Sequence, residues 1–572
     1  MIKRQLALGA LLLFLCSIAV AQEKPSPTAK PQPDARTVVV APADSLPKAL
    51  GQDSTTRSPR ALPKFELQQF VITGAASIEL PDVEKVEPDE PMRAPELANP
   101  LNEPRDRSTV EFLSEQKEMF VLEAKAVKSG RLQGSIGTYL SSRFGLWLSR
   151  SDVDNHIFGD LQYGMSRAFV PFANSSEGHL SVTGGMTFNG PSKWYDRGML
   201  KGDLAYESKT YRFYGSLTPS VTRTTSRFGI SAEYSSPKEF SSEYNGAAGM
   251  SVAGISDSSS SVTETRFDVG VGYDFLFGSV PIDGRVGLSL VSTTGSGEGT
   301  LPFLEADLKT HKIWFGDLFL QGAGQLSVTE GMGGQKLARI YPQVEIGFRF
   351  LEITIASVAY RGHVQFNSLT RLLQAHPYIA ATSTIRQSDV PIDLLAVVET
   401  GWSESLRTRV SARYQSIRDY PLFTEGARRG FWTTAYFGTT NLSTIQADLF
   451  AKFAVNSYFT LSLSANSSKN SVTGWKIPYI PDIQLDAGIS LEIAPRVRIL
   501  PTLSVVDRRI PDIYATQRMK AYLVIGLRGE YSALRSLDVF VDFQNLTNSN
   551  YDGWNGYRAT PFVASAGMSI CW

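Results

Sequence analysis

The C-terminal segment, residues 562–572, puts Phe562, Ala564, Ala566, Met568, Ile570 and Trp572 on every second position, with Ser565, Gly567 and Ser569 between them. A β-strand turns successive side chains to opposite faces, so this segment has one apolar face and one small, polar face. The chain then stops on tryptophan, a side chain suited to a membrane–water boundary. A strand of this kind is a stave of a membrane barrel or the edge of a soluble sheet, and the rest of the chain decides which.

The N-terminus reads as an export signal. Lys3 and Arg4 precede an apolar run from Leu11 to Leu15, followed by the small-x-small site Ala19-Val20-Ala21. This is the charge, core and cleavage order of a secretory signal peptide over residues 1–21. Cys16 lacks the preceding small residue that lipoprotein processing wants, so lipidation is not expected. Beyond Ala21 no stretch approaches the ~18 to 20 continuous apolar residues of a membrane helix. A barrel stays open because its strands are only half apolar. With Cys571 as the one cysteine left, neither an intramolecular disulfide nor a cysteine-based metal site is possible. Lys plus Arg and Asp plus Glu are both 56, so no charge excess points to nucleic acid.

Composition shifts near residue 128. Residues 22–110 hold 14 of the 30 prolines, and Glu79 to Glu111 carries ten acidic residues against four basic ones. Residues 22–128 therefore read as a Pro-rich, acidic tether, extended or disordered, with at most a short helix over 111–127. From residue 129 onward alternation dominates. Phe267, Val269, Val271, Tyr273 and Phe275 alternate with Asp268, Gly270, Gly272 and Asp274, and Ile483, Leu485, Ala487, Ile489 and Leu491 with Gln484, Asp486, Gly488, Ser490 and Glu492. The Gly, Ser, Asp and Arg of the off-face suit a hydrated lumen. Trp147, Tyr163, Phe348, Phe453 and Tyr531 fall near strand ends as a girdle would. The tight Ala494-Pro495-Arg496 contrasts with long, Ser/Gly-rich loops expected at 256–263 and 295–299. The pattern predicts an all-β fold, a large antiparallel transmembrane β-barrel of roughly 20 to 24 strands over 129–572. Arg409, Ser411, Arg413, Gln484, Asp486 and Glu492 would then line the lumen, either as tuning groups or as solvated wall.

Three segments carry a resemblance. Gly130 to Tyr139, continuing through Phe144 to Trp147, resembles the opening hairpin of a TonB-dependent receptor-like barrel. Leu200 to Tyr206, then Tyr211 to Gly215, is similar to its next recurrent element. Phe543-Gln544-Asn545-Leu546-Thr547-Asn548-Ser549-Asn550-Tyr551, then Trp554 to Tyr557, resembles the penultimate-strand and loop motif of TonB-dependent receptors. Phe70, Val71, Ile72, Thr73 and Gly74 resemble the TonB box, which implies pairing with the periplasmic protein TonB by strand addition, although an apolar island in a linker would look the same. The resemblance implies passage or uptake of a solute across the outer membrane of a Gram-negative-type bacterium, with the N-terminal segment periplasmic. It also implies outer-membrane lipid and the barrel assembly machinery as partners, the latter reading the terminal strand from Phe562 to Trp572. One departure is large: about 55 residues separate Gly74 from Gly130, too few and too polar for the globular plug of that family. Either this is a plugless relative, or a partner or the tether itself enters the lumen. The alternative is a structural or docking barrel whose tether recruits a partner.

No enzyme is expected. His156, His179, His311, His363 and His376 are scattered, with no H-E-x-x-H and no G-x-S-x-G. His363 and His376 read as loop or girdle residues. No cofactor or metal is implied.

Overall fold

The computed structural model describes residues 129–572 apart from 153, 189–196, 237–242, 259, 296–298, 332–334, 351–352, 427–428, 455 and 516. The signal segment, the Pro-rich tether, the short helix and Phe70 to Gly74 lie outside the described residues.

The chain closes on itself. The first stave, Gly130–Gly137, pairs antiparallel with Ser142–Ser151 on one side and with the terminal Val563–Cys571 on the other. Gly130 and Trp572 exchange both backbone hydrogen bonds at 3.0 Å. Every neighbour pair in the sheet is antiparallel, giving a barrel of 22 staves, within the expected 20 to 24. Two staves are broken: Gly299–Thr310 continues as Ile313–Phe315, and Thr354–Arg361 as His363–Gln365. Closure removes the sheet edges, whose unpaired N–H and C=O groups have no partner in lipid.

Register aligns the alternation around the wall. Val269 faces Leu288, Leu288 faces Leu304, Leu304 faces Val328, and all four are exposed. Their exterior belt is where lipid replaces water, so exposure of large apolar residues costs nothing there. The opposite parity carries polar ladders. Asp268 accepts from Arg266 at 2.8 Å and from Ser289 at 2.5 Å, Asp448 from Ser462 at 2.7 Å, and Asp486 from Ser504 at 2.7 Å. Each of these three luminal carboxylates is thus held by the next stave, and Asp268 by its own i−2 neighbour as well.

Two sequence expectations change. Trp147 shares the luminal parity of its partner Arg131, whose guanidinium lies 5.3 Å from the ring centroid. Tyr163, Phe348, Phe453 and Tyr531 are exposed, as a girdle needs. The Ser/Gly-rich stretches at 256–263 and 295–299 are not long loops. Glu243–Asp257 runs to within three residues of Ser261–Phe277, and Val280–Gly295 to within three of Gly299–Thr310. Luminal wall is as polar as loop, so composition alone did not separate them. The long connections lie at 366–387, 419–438, 471–482, 507–521 and 545–562. In an antiparallel meander successive connections alternate between rims, which puts these on one rim and both barrel termini on the other. The termini rim carries tight turns such as 278–279, 404–405 and 495–496, the last with Arg496 at φ 75°.

Val269→Arg, at the middle of its stave on the lipid face, is expected to lower unfolding free energy in liposomes by about 2–4 kcal/mol. Ser231→Arg on the luminal face should change it by under about 0.5 kcal/mol. Equal losses in urea titrations would contradict the assigned faces.

Candidate functional site at the barrel mouth

On the loop-bearing rim the connections meet each other and the inner wall in one apolar core. It includes Phe213, Ile255, Val262, Val291, Leu301, Leu369, Leu372, Ile379, Phe423, Trp432, Tyr479, Trp554 and Tyr557. Ile255, Val262, Val291 and Leu301 are luminal by register. The segment 366–387 therefore folds into the mouth rather than away from it.

Local chemistry explains its shape. Ser368 caps the helix Leu369–Ala375, its Oγ accepting from Arg371 N–H at 3.2 Å. Leu369 and Leu372, spaced i, i+3, bury one face. The helix ends where Pro377 disfavours helical backbone at His376. The wall supplies the remaining partners. Glu264, 3% exposed, accepts from Leu369 N–H at 2.6 Å and from the Thr370 hydroxyl at 2.8 Å. Arg223, fully buried, pairs bidentately with Asp257 at 2.7 and 2.6 Å and donates to the carbonyls of Pro377 at 3.0 Å and Ile379 at 2.6 Å. The Tyr211 hydroxyl donates to the Pro377 carbonyl at 2.7 Å. Buried carboxylates and guanidinium are here paired on every side, as burial of charge demands.

The two later motifs of the sequence resemblance meet in this core. Tyr214 O–H donates to the Arg558 carbonyl at 2.8 Å and its ring lies 5.1 Å from that of Tyr557. A Cβ on Gly215 would sit 2.4 Å from the Gly556 carbonyl oxygen, and Gly556 itself has φ 80°. Only glycine permits that approach. Within the C-terminal motif, buried Asn545 donates to the Ser549 carbonyl at 3.1 Å and accepts from Ser549 N–H at 2.9 Å, while Asn548 accepts from Phe562 N–H at 3.1 Å. Both asparagines have positive φ, a conformation their short polar side chains tolerate. They fold the loop that carries Tyr551, stacked at 3.8 Å on Tyr522, and Trp554 and Tyr557.

His376 sits at the centre. It is 0% exposed, and its ring lies 4.1 Å from Trp554, 4.6 Å from Trp432, 5.1 Å from Phe423 and 5.2 Å from Tyr479. These come from three different connections. Nδ1 accepts from Tyr378 N–H at 3.3 Å, and Nε2 has no hydrogen-bond partner among the described residues. Burial, opposed by a hydrogen bond to its own backbone and reinforced by the Arg223 charge, holds the imidazole well below its usual 6.5, so it is neutral. The aromatic faces would return at most about 2 kcal/mol to an imidazolium. Burying an unpaired charge costs several kcal/mol more. Burial likewise pushes the Tyr378 phenol well above its usual value.

The residues expected from sequence are placed as follows. Arg409, Ser411, Arg413, Gln484, Asp486 and Glu492 all share the luminal parity, opposite the exposed Val410, Tyr414, Ile483 and Ile493. They form no single site: Arg413 is held by Asp393 at 2.8 and 2.5 Å, and Asp486 by its neighbours. Ala566, Met568, Ile570 and Trp572 face outward and are exposed, with Phe562 and Ala564 half-buried. The anchoring by Arg223 and Glu264 and the central place of His376 are not legible in the sequence pattern. The N-cap serine, Leu-x-x-Leu and terminating proline of 368–377 were the available signal.

No protein-family model and no curated protein matches the chain. Solved structures do. The FrpB iron transporter from Neisseria meningitidis aligns over 77% of this chain and 81% of its own, with TM-score 0.62 at 10% identity. The ferric-catecholate import receptor Fiu from E. coli K12 aligns over 78% and 82%, with TM-score 0.59 at 10% identity. The copper transporter OprC aligns over 77% and 80%, with TM-score 0.59 at 11% identity. The barrel has the fold of the TonB-dependent receptors. The described residues of that receptor-type barrel include no separate plug domain.

Arg223→Ala would leave Asp257 buried without its cation and the Ile379 carbonyl without its donor, the Pro377 carbonyl keeping the Tyr211 hydroxyl, a loss of about 3–5 kcal/mol confined to the mouth. Proteolysis within 366–387 should quicken by about two orders of magnitude while the barrel stays heat-resistant. Unchanged cleavage would remove Arg223 from its anchoring role.

Proposed function

We infer that the protein is an outer-membrane barrel that passes a solute through its lumen, with the loop-bearing rim outward and the segment 366–387 gating the mouth. The observation that carries this is the mouth core itself, seated on the luminal wall of a closed barrel with a lipid-facing exterior. Outer-membrane barrels keep tight turns and both termini on the periplasmic side, which supports the orientation. The neighbours named above, iron and copper transporters and a ferric-catecholate import receptor, support transport rather than catalysis. The polar ladders would tune passage by charge and hydrogen bonding once the mouth opens.

In this reading Phe70 to Gly74 couples the barrel to TonB through added-strand hydrogen bonds, and the outward face of 562–572 is what the assembly machinery reads. Deleting 70–74 should abolish binding to purified TonB. Binding that survives intact would assign the coupling to another segment or to none.

Gln365 and Ser388 are cross-strand partners, so a short turn can replace the gate. Replacing 369–385 by a Gly/Ser turn should raise conductance in planar bilayers by about tenfold or more. A variant as closed as the parent protein would reject passage through this mouth.

A further inference from the structure

We propose that His376 is an acid-sensitive latch on the mouth: taking up a proton at its imidazole releases the segment 366–387 from the loop core. This rests on the reading of that segment as the gate.

The argument is geometric. The imidazole is the polar centre of a core built from separate connections, 366–387, 419–438, 471–482 and 545–562, so its tolerance decides whether those connections stay together. An imidazolium must donate from both nitrogens. Here Nδ1 already faces the Tyr378 N–H, so a proton there sets donor against donor, and the one opposing contribution, from the backbone of His376 itself, is outweighed by burial. Nε2 meets no acceptor among the described residues.

The surrounding charges offer no rescue. From the wall the facing charge is Arg223, already committed to Asp257 and opposed to a second cation. The titratable rings against it are Tyr378 from its own segment and Tyr479 from 471–482, with Tyr557 from 545–562 stacked on Tyr378, all phenols held neutral by burial. Arg509 from 507–521, which acts on Tyr479, is a further cation and donates to the carbonyls of Asp552 and Gly553. Glu425 and Asp512 act on Tyr479 from beyond the ring and are bound elsewhere. Glu425 accepts from Gly430 N–H at 2.7 Å, and Asp512 accepts from the backbone N–H of Glu425 and of Tyr514.

The sign follows from linkage. The released segment binds a proton with the ordinary value of 6.5 and the closed one far below it. Closure is therefore at full strength above that value and weakens as pH falls beneath it. An acidified surface would open the mouth, and neutral pH would hold it shut.

Hydrogen exchange of the full-length protein in micelles reads this directly, with rates corrected for the intrinsic pH dependence. Between about pH 7.5 and 5.0, amides of 369–379 should lose protection by at least about tenfold, while those of Glu243–Asp257 keep theirs. His376→Gln, which can still accept from Tyr378 and does not titrate, should abolish that change; His376→Phe gives a second non-titrating cage. Flat protection in the parent protein, or an equal pH response in both variants, overturns the latch. Exchange reports release whether or not the lumen conducts. Loss of protection with no conductance at acid pH would instead reject the passage reading and leave the latch standing.

Discussion

Backbone hydrogen bonding in the absence of water is the constraint on which this structure depends. Lipid offers no partner to an unpaired N–H or C=O, so a sheet can span it only by closing. Here closure comes down to the register between Gly130–Gly137 and Val563–Cys571, ending in the reciprocal bonds of Gly130 with Trp572. Once that pairing is set, parity is set for every stave. Each apolar residue of the alternation goes outward and each polar one inward, because a slip by one residue would exchange the two faces along a whole strand.

The same parity rule builds the mouth. Arg223, Asp257 and Glu264 are luminal because Phe228, Val252 and Phe267 are not. Near the loop-bearing rim Arg223 and Asp257 pair with each other across adjacent staves, but Glu264 and the remaining Arg223 donors would be stranded in an apolar core without partners. The segment 366–387 supplies them in the form of backbone carbonyls, a helix N-terminus and a threonine hydroxyl. Wall and loop therefore satisfy each other, and the strongest contacts of the mouth are reversible hydrogen bonds rather than covalent ties.

Alternation made the exterior legible, and the terminal strand, the luminal Arg409 to Arg413 and the approximate stave number followed from it. It failed where two environments share a chemistry. Polar Ser/Gly runs at 256–263 and 295–299 read as long loops by composition, although a luminal wall uses the same residues. Trp147 reads as a girdle residue from its position near a strand end, whereas its register with Arg131 turns it inward. Motif resemblance pointed to Tyr211 to Gly215 and to Asn545 to Tyr557. It could not say that the two abut, since nothing local links residues about 340 positions apart in the chain.

By itself the sequence determined a half-apolar, strand-rich chain that must close in a membrane, because period and composition are local properties. Only the tertiary structure decided that the mouth is bridged, that Arg223 and Glu264 hold the bridge, and that His376 lies buried at its centre. Those facts depend on which distant connections meet, and burial and pairing exist only after the barrel has brought them together.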